Sequence, residues 1–98
     1  MRILFERTGG FAGRRLRARI DSAALTDDEA ERLTRLVNDA GFFDLPSWLQ
    51  PPDPSPDRFS YVVTVEAGPR AHTVQAAESA IPPQLRPLLT WLTRRGQA

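Results

Sequence analysis

Thr8-Gly9-Gly10-Phe11-Ala12-Gly13 stands between two short runs of alternating apolar and polar residues, and the rest of the chain is organised around it. Three of its six residues are glycine, with the large apolar Phe11 among them. Glycine takes backbone angles that other residues avoid, so it suits a sharp reversal or a close approach to another surface. A loop that only joined two strands would need about two to five residues and no phenylalanine. Two readings stay open at this point. The loop is either a loose connection whose Phe11 folds back onto the core, or a presented loop with an apolar anchor at its tip.

Upstream, Met1, Ile3 and Phe5 alternate with Arg2, Leu4 and Glu6. Downstream, Leu16, Ala18 and Ile20 alternate with Arg15, Arg17, Arg19 and Asp21. Period-two alternation marks half-buried strands, and the second has one apolar and one strongly basic face. The pair is expected to form an antiparallel hairpin.

Thr26-Asp27-Asp28-Glu29 is a helix start: the threonine caps a free backbone N–H and the glutamate three residues on reaches back. Ala30, Leu33, Leu36, Val37 and Ala40 then share one face, and Gly41 is a natural stop, so a helix is predicted from about Asp27 to Ala40. Phe42 to Leu49 is apolar without a clear period, and is expected to lay aromatic rings over the edge of the core. Five prolines between Pro46 and Pro56 keep the following chain out of helix and central strand.

Phe59, Tyr61, Val63 and Val65 alternate with Ser60, Val62, Thr64 and Glu66 in the clearest strand of the sequence. Ala67-Gly68-Pro69-Arg70 reads as a turn into a fourth strand, Ala71 to Ala77. Pro87 belongs in the first turn of a C-terminal helix whose apolar face is Leu85, Leu88, Leu89 and Leu92, with Trp91 beside them. Arg94 and Arg95 suit the negative end of its dipole, and Gly96 ends it. The predicted fold is α+β with element order ββαββα. It has a four-stranded, mainly antiparallel sheet with two helices on one face, in a single domain over residues 1–98.

Composition narrows the function. The 98 residues carry a net charge of +1, with 41% hydrophobic and 26% charged residues, an ordinary globular balance. Such a charge exerts no strong pull on nucleic acid or an anionic membrane. All thirteen basic residues are arginine. No cysteine is present, so disulfides and thiolate metal sites are excluded. No apolar run approaches the ~18 residues of a membrane span, and no secretory signal is read at the N-terminus. A cytoplasmic monomer without membrane contact is expected.

No residue is assigned a catalytic role, no metal site is read and no cofactor is expected. His72 is the sole histidine, and a lone histidine on a strand is read as structural rather than as a general base or zinc ligand. Asp27, Asp28 and Glu29 are read as the helix start. Gly9, Gly10 and Gly13 lead into a strand, so no helix N-terminus is available for a phosphate.

Met1-Arg2-Ile3, Arg7 to Gly13 and Asp57-Arg58-Phe59, leading into Tyr61 and Thr64-Val65-Glu66, together resemble the emfourin family in order and spacing over nearly the whole chain. Emfourins are small bacterial protein inhibitors of thermolysin-like zinc metallopeptidases such as protealysin. The resemblance implies a non-enzymatic inhibitor whose partner is such a peptidase. These peptidases favour a large apolar side chain just after the scissile bond, which suits Phe11. The implied target-binding residues are Thr8, Gly9, Gly10, Phe11, Ala12, Gly13, Asp57 and Arg58. The last two either make a second contact or brace the loop; alternatively, Asp57 caps a turn and Phe59 is phased with the core. A protein-interaction module without cleft insertion is the alternative function. Nucleic-acid binding through Arg15, Arg17 and Arg19 is a third, set against by the near-neutral charge.

Overall fold

The computed structural model describes residues 1–9, 14–51 and 59–97. Strand β1 (Arg2–Gly9) and β2 (Arg14–Asp21) form the first hairpin, with Phe5 opposite Ala18 and Ile3 opposite Ile20. β1 runs on past the alternating segment to include Thr8 and Gly9, so only residues 10–13 separate the two strands. Helix α1 (Asp27–Asp39) starts as the capping residues predict: Thr26 Oγ1 accepts from the Glu29 amide at 3.2 Å, and Glu29 Oε1 accepts from the Thr26 amide at 3.4 Å. Its Leu33 and Val37 are buried.

Residues 42–49 lay Phe42 and Phe43 on the core as expected, and depart from the expectation at Trp48, which is exposed. Phe42–Asp44 make a single 3-10 turn that buries Phe42, and Trp48–Leu49 form a short strand, β3. Strand β4 (Phe59–Ala67) and β5 (Arg70–Ala77) form the second hairpin, joined by Gly68 and Pro69. β5 therefore begins one residue earlier than predicted. Helix α2 (Arg86–Arg95) carries Pro87 in its first turn and buries Leu88, Leu89, Trp91 and Leu92.

Among the described residues the sheet has five strands, in the order β2-β1-β4-β5-β3, and is mixed: β3 pairs parallel with β5, and the other strand pairings are antiparallel. This corrects the four-stranded prediction. A two-residue strand between Pro46 and Pro51 is too short to show an alternation. Its pairing depends on the chain returning from α1 to the free edge of β5, where the Gln75 amide donates to the Ser47 carbonyl at 2.8 Å.

Residues opposite one another form rows across the sheet. Ala18, Phe5, Val63 and Val74 make one buried row, with Ile20, Ile3, Val65 and His72 as the next. These rows and the apolar sides of both helices form one continuous buried cluster, so both helices cover one face. The other face is open to solvent and carries Arg19, Leu4, Thr64 and Thr73 in one row, and Arg17, Glu6, Val62, Gln75 and Trp48 in the next.

The segment after α2 closes the outer edge of β2. Gln97 and Arg17 exchange backbone hydrogen bonds, at 2.7 Å from the Gln97 amide and 3.0 Å from the Arg17 amide. Gly96 makes this approach possible: a Cβ there would lie 2.6 Å from Leu16 Cγ.

Candidate functional site

β1 is the second strand of the sheet and has both its partners in place at its last residues. Thr8 lies opposite Arg15 on one side and Ser60 on the other; Gly9 lies opposite Arg14 and Phe59. Hydrogen-bonded strands run about 4.8 Å apart. The chain entering residues 10–13 at Gly9 and the chain leaving residue 58 at Phe59 are therefore immediate neighbours. Two segments nearly fifty positions apart in sequence flank one end of one sheet.

Two further strands finish at this end. Ala77 of β5 lies opposite Ser60, and Leu49 of β3 lies opposite Ala76. The proline-rich connection from Pro51 to Phe59 thus joins the outer edge of the sheet to the start of β4. Gly9 sits at φ +112°, a backbone region that side-chain-bearing residues rarely adopt, and so redirects the chain as it leaves β1.

Of the eight residues assigned to target binding from the sequence, Thr8 and Gly9 are placed here. Gly10, Phe11, Ala12, Gly13, Asp57 and Arg58 lie outside the described residues.

The base of this end is braced by side chains whose role the motifs alone did not reveal. The Arg7 guanidinium lies 4.3 Å from the centroid of the Phe59 ring. Phe59 is 6.5 Å from Tyr61, and Tyr61 is 6.2 Å from the buried Phe5. A chain of ring contacts therefore runs from the core to the rim, each worth about 0.5–1.5 kcal/mol beyond its buried area. One signal was present in the sequence: Arg7 falls in phase with Ile3 and Phe5, which puts a charged side chain on the covered face, where it needs a partner.

The other candidates lie elsewhere. His72 is opposite Val65, well along β5 from Ala77. Its Nε2 donates to the Leu45 carbonyl at 2.7 Å, and its ring stands edge-on to Phe42 at 5.7 Å, tying β5 to the turn after α1. Glu29 caps α1 and accepts a 2.9 Å hydrogen bond from Arg95. That bond first, and the bonds from Thr26 second, hold its carboxyl below the ordinary carboxylate range. Arg15, Arg17 and Arg19 project from the open face, with Glu6 near the first two at 3.6 and 3.8 Å. Phe59 and Tyr61 are in phase with the opposite, helix-covered face, so they offer no stacking platform beside those arginines. No group of three or more His, Cys, Asp or Glu side chains able to hold a metal occurs among the described residues.

The emfourin family matches residues 5–93, a span that contains the glycine loop, the Asp57-Arg58 corner, all of α1 and most of α2. The chain belongs to the emfourin family. Searches of the curated proteins and of the solved structures returned no match. Emfourins are protein inhibitors of thermolysin-like metallopeptidases, so this emfourin is not an enzyme and its partner is a metallopeptidase.

Proposed function

We propose that this emfourin blocks the active-site cleft of a protealysin-like peptidase with the loop Thr8–Gly13, Phe11 acting as its apolar anchor. Asp57 and Arg58 supply a second contact at the same end. The observation that carries this reading is the register that sets Gly9 opposite Phe59, since it lets both segments face one partner. The braced sheet supports it further. A loop whose flanks are already held in a packed sheet loses less conformational entropy on binding than a free peptide, which favours affinity. The narrow glycine backbone suits passage between cleft walls, and an extended segment there can pair with an edge strand of the enzyme. The inhibitor acts as a cytoplasmic monomer.

Titration of the purified protein into a thermolysin-like peptidase and into an unrelated serine peptidase tests the proposal. Stoichiometric loss of activity in the first alone is expected. Full activity of a panel of thermolysin-like enzymes in the presence of folded protein would overturn it.

A further inference from the structure

Specific protein–protein interfaces cover roughly 800 Å² and 20–30 residues on each partner. The eight residues of the loop and corner fall well short of that, so more of the inhibitor must meet its target. The open sheet face is continuous with the loop: Thr8 and Arg15 form its last row before residues 10–13. It also carries both large apolar side chains that stand exposed among the described residues, Leu4 at 45% and Trp48 at 49%. Leu4, Glu6, Val62 and the three arginines Arg15, Arg17 and Arg19 line an open trough of about 1110 Å³.

The charge along this trough is unbalanced. Arg15, Arg17 and Arg19 are all exposed and project at about 6.8 Å intervals along β2. Glu6 is the acidic residue within 4 Å of the row, and its contacts with Arg15 and Arg17 are long and solvent-exposed. Solvent-screened pairs of this kind contribute little, so the arginines are available to another partner. An exposed leucine opposite Arg19 and diagonal to Arg17 fits a surface with an apolar patch flanked by carboxylates.

Resting on the inhibitor reading above, we infer that the open sheet face is a second docking surface. It would engage an acidic, partly apolar region of the peptidase beside the cleft that receives the loop. The arginine row steers the approach of the two proteins, and Leu4 with Val62 makes the apolar contact.

The test follows association and dissociation rates with a peptidase that the wild type inhibits, at several salt concentrations. Arg15→Glu/Arg17→Glu/Arg19→Glu is expected to slow association by about tenfold at low salt and to reverse its salt dependence, because attraction to an acidic surface becomes repulsion that salt screens. The milder Arg15→Gln/Arg19→Gln serves if the triple variant melts early. Leu4→Ser is expected to speed dissociation. Association rates and salt dependence equal to the wild type in the arginine variants would overturn the docking surface while leaving loop inhibition standing. A wild type that inhibits no thermolysin-like peptidase would overturn both readings. Concentration-dependent self-association abolished by Leu4→Ser, or salt-sensitive binding of an RNA or DNA oligonucleotide abolished by the arginine variants, would assign the face to another occupant and overturn the proposal.

Discussion

The guanidinium of Arg7, at the end of β1, lies 4.3 Å from the ring centroid of Phe59, the first residue of β4. The contact clamps the bases of the glycine loop and of the Asp57-Arg58 corner together. Replacing Arg7 with Gln keeps a polar side chain but removes the cation. We expect a stability loss of about 0.5–1 kcal/mol in urea unfolding. We also expect a matching rise in the inhibition constant, because the flanks of the loop are held less firmly. A variant that is less stable but inhibits as well as the wild type would show that this clamp serves the fold alone.

Phe11→Ala addresses the anchor itself. Truncating an interface anchor costs about 2 kcal/mol or more, roughly thirtyfold in the inhibition constant. The circular dichroism spectrum should stay that of the wild type. Unchanged inhibition would rule Phe11 out as the anchor.

Gly96 lies where the chain leaves α2 and meets β2. A methyl group there would sit 2.6 Å from Leu16 Cγ and 2.8 Å from Leu16 Cδ2. Gly96 has φ −72°, so the penalty on Gly96→Ala is steric and not conformational. Overpacking of this kind costs about 1–3 kcal/mol. The double variant Gly96→Ala/Leu16→Ala should recover part of that loss, giving a strongly non-additive cycle in thermal melts. Full additivity would mean that the two residues do not meet.

Glu29 joins the start of α1 to the end of α2 through Arg95, whose guanidinium also lies 3.5 Å from the Trp91 ring centroid. Its carboxyl titrates below the ordinary value of 4.5, chiefly because of Arg95. A group whose pKa is lowered by folding stabilises the native state above its unfolded value and loses that contribution as pH falls through its folded value. Stability should therefore drop below about pH 4.5 in the wild type. In Glu29→Gln the curve should be flatter over that acid range and lower at neutral pH. Identical acid limbs in the two proteins would exclude a role for this pair.

Much of the fold was legible because burial on one side of a strand or helix imposes a period on its residues. The alternation of Ile3, Phe5, Val63 and Val65 located strands, and Thr26 with Glu29 located a helix start with its hydrogen bonds. β3 was not legible, since Trp48 and Leu49 are too few to alternate and take their pairing from Gln75 and Ala76. The site was legible as two short motifs, but not as one place. Arg7 and Tyr61 were visible as part of those motifs, yet nothing in the linear order says that one lies over Phe59 and the other against Phe5 and Phe59.

The local features follow from the chain alone: which faces are apolar, where glycine and proline interrupt regular structure, where α1 begins, and the family that the motifs resemble. The first three depend on residues within a few positions of one another, and the resemblance on the order and spacing of short motifs along the chain. The tertiary structure decided the strand order, the parallel edge strand, and the meeting of Gly9 with Phe59. It also left the arginine row on the face that no helix covers. Those outcomes depend on how two hairpins and two helices bury a shared core, and hydrogen bonds between strands distant in sequence form only once that burial holds them side by side.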